Sequence, residues 1–289
     1  MDKYLNHVYA RKLNASDVNI NENGTWYIPH HAVVHPKKKK VRVVFDCAAK
    51  HRGKSLNDHL YQGPDLVNTL LGILLRFRMK EVALIADVES MYCRVRVMPE
   101  DEKMLRFLWW DGGNLDKKPD IFCMTSHVFG AKSSACIAGY AIQCAINNAT
   151  SISEDSASSA RKNFYVDDFL CSTESIQDGI RMAHEVTNAL KQGGFRLTKC
   201  LSNKREVIES FPIEERADAV KELSIDDKLP YERTLGMMLD VQEDTFRFNT
   251  NIDEKPITRR GILSMASSIF DPLGFLCAVF LHPKFCSNN

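Results

Sequence analysis

The sequence predicts an α+β fold in which helices pack on one face of an antiparallel sheet. Three patterns in the sequence support this prediction: amphipathic helical segments, a continuous apolar strand and a hairpin. They follow one another along the chain without internal repeats. The chain of 289 residues can bury a large core and form one to three domains. Its apolar content of 44% and charged content of 26% are ordinary for a soluble globular protein.

The first half of the chain predicts two extended segments, a helix and two strands. Residues 26–46 are expected to be extended around a run of lysines. Pro64 is predicted to open a helix whose apolar positions keep helical spacing as far as Phe77. The apolar run 82–86 predicts a strand buried on both faces. Residues 109–114 predict a strand that runs into a turn.

The second half predicts three helices and one linker. Residues 133–148 are rich in alanine, isoleucine and cysteine and predict a buried helix. The serine-rich tract 151–159 is interpreted as a solvent-exposed linker. Residues 176–190 predict an amphipathic helix that ends at the glycine pair 193–194. Thr258 is predicted to cap a last helix.

Three aspartates are the candidate functional residues. Asp167 and Asp168 are adjacent within the run 164–170, which predicts a hairpin whose tip carries the two carboxylates. Asp87 follows the buried strand, so the fold could bring it beside that tip. Carboxylate oxygens are the ligands that Mg²⁺ prefers, and two ions so held stabilise the attacking and leaving oxygens in phosphoryl transfer. Taken alone, an Asp-Asp pair is more typical of an ordinary turn than of a metal site.

Eight segments in collinear order resemble the reverse transcriptase of long-terminal-repeat retroelements, most closely the BEL/Pao group. They are residues 26–33, 42–46 with 55–57, 87–92, 129–134, 165–168, 194–199 with 202–203, 235–236, and 270–274. The resemblance implies a right-hand polymerase fold with an antiparallel palm sheet. Its divisions would be fingers at 1–62 and 96–133, palm at 63–95 and 134–248, and the start of a truncated thumb at 249–289.

The resemblance also implies RNA-directed and DNA-directed DNA synthesis with two Mg²⁺ ions, for which Mn²⁺ would substitute. Asp87 and Asp167 are expected to bridge both ions, and the carbonyl of Val88 to complete the coordination. Asp168 is expected to be a more peripheral ligand, because strand alternation would direct it to the opposite face. Lys199 is interpreted either as a proton donor to pyrophosphate or as a surface charge after a strand.

The incoming nucleotide is expected to meet residues of the fingers. Arg42 and one lysine of the run 37–40, of which we choose Lys38, would contact the triphosphate; a solvated loop or a basic targeting tract is the alternative for this run. Gly130 and Lys132 belong to the nucleotide-side loop. Tyr92 is expected to exclude a 2′-hydroxyl, with core packing as its alternative role.

The primer end is expected to lie near Tyr165, Leu235 and Gly236. The expected partners are an RNA or DNA template–primer and deoxynucleoside triphosphates, and the net charge of only +1 requires local basic patches for nucleic-acid affinity. No signal-peptide core or membrane-length apolar stretch occurs, so a soluble intracellular protein without a membrane partner is expected. Nine cysteines without a Cys-x-x-Cys pair do not favour a zinc ribbon or a disulfide framework.

Several positions depart from the pattern of the resembling family, among them Arg94, Ala135, Cys200, Leu239 and Ala278. None is a predicted metal ligand. They indicate a drifted copy, so a non-catalytic remnant that binds nucleic acid is kept as an alternative function. An RNA-dependent RNA polymerase is a weaker alternative, disfavoured by Tyr92 and Val166. The sequence leaves the oligomeric state open.

Overall fold

The structure is a computed structural model that describes residues 1–18, 24–34, 39, 41–221, 231–234, 237–240, 243, 245–248, 255–269 and 271–276. Its helices are α1 (Asp2–Asn6), α2 (Leu70–Phe77), α3 (Ser134–Asn148), α4 (Glu154–Asn163), α5 (Ile176–Gln192), α6 (Arg205–Glu209) and α7 (Arg259–Ala266). Its strands are β1 (Ala10–Lys12), β2 (His30–Val34), β3 (Val41–Phe45), β4 (Val82–Val88), β5 (Arg106–Trp109), β6 (Asp120–Met124), β7 (Phe164–Tyr165), β8 (Asp168–Thr173), β9 (Leu197–Ser202), β10 (Tyr231–Thr234), β11 (Met237–Asp240) and β12 (Thr245–Arg247).

Two compact units divide the chain, and each is described by itself. Unit 1 comprises Met1–Val67, Glu89–Ala149 and Leu190–Phe195. Unit 2 comprises Asn68–Val88, Thr150–Ala189 and Arg196–Asn289. The boundaries of fingers, palm and thumb stay predictions. Within the described part of the chain, no helix combines the length and the apolar character that a membrane crossing needs.

Unit 1 is built around an aromatic core. It contains the antiparallel sheet β1-β6-β5 and the separate hairpin β2–β3, which confirms the extended segments predicted there. The Phe107 ring meets Phe45 edge-to-face at a centroid distance of 5.1 Å and stacks on Phe122 at 5.7 Å. His30 of β2 contacts both Phe45 and Phe107, and burial lowers its pKa. The hairpin is therefore anchored at one end by ring packing.

Unit 2 contains the four-stranded antiparallel sheet β7-β8-β4-β9, with β4 and β8 in the centre. Residues 82–86 of β4 are all buried, as their continuous apolar run predicts. Helix α2 packs its apolar side on this sheet. The resulting core includes Ile73, Leu74, Phe77, Leu170 and Leu201. A second antiparallel sheet, β10-β11-β12, lies later in the same unit.

The predicted helices α3, α5 and α7 are confirmed. Helix α7 starts after Thr258, whose hydroxyl accepts a hydrogen bond from the backbone N–H of Gly261 at 3.1 Å. Beyond α5, the backbone N–H of Phe195 donates to the carbonyl of Leu190 at 2.9 Å, and Gly194 adopts the left-handed conformation that ends many helices.

The helix predicted to open at Pro64 begins only at Leu70. The preceding residues are extended because their polar side chains bond to the backbone. The Asp65 carboxylate accepts a hydrogen bond from the backbone N–H of Val67 at 3.0 Å. The Asn68 amide donates a hydrogen bond to the carbonyl of Phe164 at 3.0 Å. Such side-chain bonds offer the backbone an alternative to helix, which the apolar spacing alone does not reveal.

The prediction of a linker at 151–159 is wrong, because α4 occupies most of that tract. Ser153 caps the helix by accepting a hydrogen bond from the N–H of Ser156, and its hydroxyl donates to Glu185 at 2.6 Å. Ser156 and the alanines on the same face are buried. Small side chains allow this close packing although serine is a weak helix former, so composition misled the prediction.

Candidate active site

Strand β4 carries Asp87 near its carboxyl end, directly opposite Asp168, the first residue of β8. In an antiparallel pair, opposite side chains share one face, with Cβ atoms about 4.5–5.5 Å apart. The Asp87 side chain is 23% exposed, and Asp168 is half-buried. Two carboxylates from distant parts of the sequence therefore lie side by side at one end of the sheet.

The third carboxylate lies in the tight turn between β7 and β8. Tyr165 pairs with Asp168, so Val166 and Asp167 form a two-residue loop, as the hairpin pattern predicts. Val166 has φ +55°, a left-handed conformation that is rare for a β-branched residue. The N–H of Val88 donates to the carbonyl of Asp167 at 2.8 Å. This bond ties the turn to the end of β4.

The reason given for a peripheral Asp168 is wrong. Strand alternation does not apply between Asp167 and Asp168, because Asp167 belongs to the turn and only Asp168 belongs to the strand. The register instead places Asp168 across from Asp87. Whether Asp168 is a central or a peripheral ligand stays a prediction.

The three carboxylates repel one another in a partly buried setting. Burial, followed by the charges of Asp167 and Asp87, raises the pKa of Asp168 to about 6. Burial and the charge of Asp87 raise the pKa of Asp167, whereas its own backbone N–H and Lys199 lower it. The neighbouring charges thus disfavour the ionised forms of Asp167 and Asp168, and an added cation would favour those forms.

The ammonium of Lys199 is already in this site. Its Nζ lies 2.8 Å from Oδ2 of Asp87. The contact depends on a β-bulge: Ile85 pairs with Leu201, but Asp87 pairs with Thr198, so β9 advances three residues while β4 advances two. Lys199, within the bulge, has φ +55°. Bulges next to active sites re-aim a side chain in this way.

In a regular strand, Lys199 would face away from its neighbour Thr198, and hence away from Asp87. The bulge overturns that alternation. Lys199 is therefore not an unattached surface charge after a strand, although 65% of its side chain is exposed. Its predicted role as a proton donor stays a prediction.

Tyr92 lies in unit 1, in the 3₁₀ turn Met91–Arg94. Its ring meets the ring of Phe129 edge-to-face at 5.6 Å, and it is half-buried, whereas Phe129 is 71% exposed. Arg94, where the resembling family commonly has glutamine, pairs with Glu89 at 3.0 Å. The packing alternative for Tyr92 thus has a partner, and the ring keeps an accessible side.

The nucleotide-side loop is held by Asn57, which lies in the resembling segment 55–57 but was given no individual role. The Asn57 amide donates to the carbonyl of Gly130 at 3.0 Å, and its oxygen accepts the N–H of Lys132 at 2.8 Å. Gly130 has φ +115°, and a Cβ there would lie 2.8 Å from the carbonyl oxygen of Phe45. The fold alone therefore requires glycine at this position. An amide that both donates and accepts was the available signal for Asn57.

The structure describes some of the other predicted site residues. Arg42 is exposed on β3. Tyr165 is half-buried and packs against the core of unit 2. Lys38, Leu235 and Gly236 lie outside the described residues. The structure thus brings together the predicted residues of unit 2, Asp87, Val88, Asp167, Asp168 and Lys199, while those of the nucleotide side belong to unit 1.

No protein-family model and no curated protein matches the sequence. Solved structures do. The foamy viral protease-reverse transcriptase, in a form named dRH with double-stranded DNA, aligns with a TM-score of 0.59 at 16% identity, over 92% of this chain and 38% of that chain. The same enzyme with an RNA/DNA hybrid gives 0.56 at 16% identity, over 92% and 29%. A further complex with double-stranded DNA gives 0.53 at 16% identity, over 100% and 46%.

The chain has a reverse transcriptase-like fold. This finding confirms the predicted α+β class with antiparallel sheets. The chain spans less than half the length of each of these viral chains. At this identity the likeness shows the fold alone, so the chemistry of the site has to be argued from its own residues.

The donor set of this reverse transcriptase-like fold suits a divalent metal in chemistry. Carboxylate oxygens are the ligands Mg²⁺ prefers, and the Lys199 ammonium shows that a cation is held against Asp87. Among the described residues, however, no three acidic, histidine or cysteine side chains form a ready-made metal site. The structure therefore shows carboxylates beside an ammonium.

Proposed function

We propose that this chain is the polymerase region of a reverse transcriptase that adds deoxynucleotides to a primer on RNA and DNA templates. One observation carries the proposal. In a reverse transcriptase-like fold, Asp87, Asp167 and Asp168 gather at one end of the sheet β7-β8-β4-β9. Mutually repelling, partly buried carboxylates destabilise a fold, and such arrangements cluster at functional sites. The BEL/Pao type is proposed from the eight resembling segments.

In this proposal, Asp87 and Asp167 would hold two Mg²⁺ ions, with Asp168 and the Val88 carbonyl as further ligands. When bound, the ions supply activation of the primer 3′-hydroxyl and charge neutralisation of the leaving pyrophosphate; Mn²⁺ would substitute. The chain itself supplies the positioning. The pairing of Asp87 with Asp168 and the bond from Val88 N–H to the carbonyl of Asp167 hold the three carboxylates at one end of the sheet.

The nucleotide and the nucleic acid would meet other residues. Arg42, Lys38 and Lys132 would contact the triphosphate, with Gly130 alongside, and Tyr92 would contact the sugar. A rigid ring there would reject a 2′-hydroxyl by collision, which selects deoxynucleotides.

The proposed macromolecular partner is a template–primer duplex. The foamy viral enzymes were solved with double-stranded DNA and with an RNA/DNA hybrid. We propose the same class of partner here, with the primer end near Tyr165, Leu235 and Gly236. The exposed Arg42 on β3 would contribute to phosphate affinity.

The test is primer extension by the purified protein on an RNA template with Mg²⁺ and deoxynucleotides. The wild type should extend the primer, and Asp167→Asn should abolish extension while melting temperature and primer–template binding stay close to wild type. Asp155→Asn, at an exposed aspartate of α4, is the matched control and should extend normally. Comparable extension by Asp167→Asn would show that the two-metal assignment is wrong.

A second candidate is a protein that binds nucleic acid without turnover. The observation that favours it is the missing ready-made metal site among the described residues, together with the Lys199 ammonium on Asp87. A wild type that binds the template–primer but never extends it, with either Mg²⁺ or Mn²⁺, would support this candidate over the first.

A further inference from the structure

We propose that Lys199 is a built-in counter-ion that competes with the divalent cation for Asp87, so that metal binds only when this ammonium leaves. The inference rests on the proposed function, since it assigns a further role to a residue of the same site. The counter-ion role needs only the positive charge of Lys199, whereas a proton donor has to give up a proton.

The geometry of the contact supports the competition. Nζ of Lys199 lies 2.8 Å from Oδ2 of Asp87, where the ammonium occupies the space that a cation bound to the same oxygen needs. A lysine ammonium and a divalent ion repel each other at such separations. The two therefore compete for this oxygen.

The backbone at Lys199 indicates that the contact is built into the fold. The bulge in β9 and the left-handed φ of +55° turn Lys199 out of the regular alternation and toward Asp87. A non-glycine residue in this conformation is held by its surroundings at a cost in free energy. The fold thus places a cation against Asp87, a carboxylate that interacts with both Asp167 and Asp168.

A second lysine at the same sheet provides the internal comparison. Lys204 pairs with Glu81 at 2.6 Å, but Glu81 is 72% exposed, and this pair lies at the other end of β4. An ion pair on an exposed carboxylate contributes little, because solvent screens it. Asp87 is only 23% exposed and interacts with Asp167 and Asp168, so its counter-ion matters more.

The ammonium of Lys199 is also able to leave Asp87. Because 65% of the Lys199 side chain is exposed, its flexible stem can swing the charge into water without disturbing buried groups. Metal entry would then exchange one cation for another at Asp87, and the affinity for metal would be lowered by the stability of the lysine contact.

The experiment measures Mn²⁺ binding to the full chain by electron paramagnetic resonance and calorimetry, without nucleotide or primer. The variants are Lys199→Asn, which tolerates the left-handed backbone and removes the charge, and Lys199→Arg, which keeps the charge. Lys204→Asn is the matched control, and Asp87→Asn removes the carboxylate at issue. Should Lys199→Asn not fold, Lys199→Gly suits the same backbone conformation and replaces it.

We expect Lys199→Asn to bind Mn²⁺ about three- to tenfold more tightly than wild type, because a neighbouring positive charge no longer repels the ion. Lys199→Arg and Lys204→Asn should bind as wild type does, and Asp87→Asn should lose binding at this site. Mn²⁺ should raise the melting temperature of Lys199→Asn by more than it raises that of wild type.

The outcomes separate this inference from the proposed function. Equal or weaker Mn²⁺ binding by Lys199→Asn, with binding lost in Asp87→Asn, overturns the counter-ion role and leaves the metal site standing. An equal gain in Lys199→Arg or Lys204→Asn also overturns it, because the charge at 199 would not be the cause. If Asp87→Asn binds as wild type does, or no variant binds Mn²⁺, both the inference and the metal assignment fail.

Discussion

The two ends of strand β4 differ in how their polar groups are satisfied. At the amino end, the Asn203 amide oxygen accepts the N–H of Ala83 at 2.8 Å, its NH₂ donates to the carbonyl of Glu81 at 2.8 Å, and Ser202 donates to the carbonyl of Ala83 at 2.6 Å. At the carboxyl end, three carboxylates share one ammonium beside a bulge.

The contrast shows where this sheet is built for stability and where it is not. The amino end has regular pairing and bonded backbone groups, which stabilise a fold. The carboxyl end keeps like charges together and holds Val166 and Lys199 in left-handed conformations. Because both ends belong to one strand, a substitution at the carboxyl end can be compared with a substitution at the amino end.

The largest expected difference is in activity. Asp87→Asn should lower primer extension by about a thousandfold or more, since a lost metal contact removes several kcal/mol of transition-state stabilisation. Glu81→Gln neutralises the carboxylate at the opposite end of β4 and should leave extension unchanged. Equal losses in both variants would mean that the ends do not differ in function; melting curves check that both are folded.

The next largest effect is at the amino end of β4, where a substitution should lower stability and leave activity unchanged. Asn203→Ala leaves the N–H of Ala83 without its partner and should lower the free energy of unfolding by about 1–3 kcal/mol. Extension per folded molecule should not change. Chemical denaturation measures the loss. A stability unchanged in Asn203→Ala would contradict the structural role of this end.

A gain in stability is expected at Asp168. Its folded pKa of about 6 lies above the ordinary value of 3.8, so its ionised form destabilises the fold above pH 6. Asp168→Asn should add about 1–2 kcal/mol at pH 7–8 without metal, less than the full pKa difference implies because solvent screens the site. The gain should shrink as the pH falls from 6 to 3.8 and vanish below 3.8, where Asp168 of wild type is protonated in both the folded and the unfolded state. Denaturation at pH 4 and pH 8 tests the sign.

The smallest effect concerns the turn. Asparagine adopts the left-handed conformation of Val166 more readily than valine does, so Val166→Asn should raise the free energy of unfolding by about 1 kcal/mol. Its control is Val82→Asn at the buried start of β4, which should be strongly destabilising. A destabilised Val166→Asn would indicate that the valine side chain contributes packing that outweighs the backbone strain.

The sequence predicts the local parts of this site well. The run 82–86 indicates the strand that carries Asp87, and the hairpin pattern indicates the turn that carries Asp167, because both depend on neighbouring residues. The Lys199 contact could not be predicted, since a bulge arises from the register of β4 against a strand far along the chain. The face of Asp168 was misjudged for a different reason: Asp167 belongs to the turn, so strand alternation does not run from Asp167 to Asp168.

The misjudged elements outside the site have a related cause. Helix α4 depends on burial of small residues and on a bond from Ser153 to Glu185 in another helix, neither of which composition reports. The late start of α2 depends on Asn68 reaching the hairpin backbone. In each case a contact between distant segments decided the local structure.

The strand order β7-β8-β4-β9 also has a consequence for the folding pathway. The two-residue turn lets β7 and β8 pair locally, on the microsecond timescale of hairpins. Asp87 and Lys199, in contrast, are 112 residues apart and can meet only after long loops close. We therefore expect the carboxylates to meet late, so that their repulsion accelerates unfolding more than it slows folding.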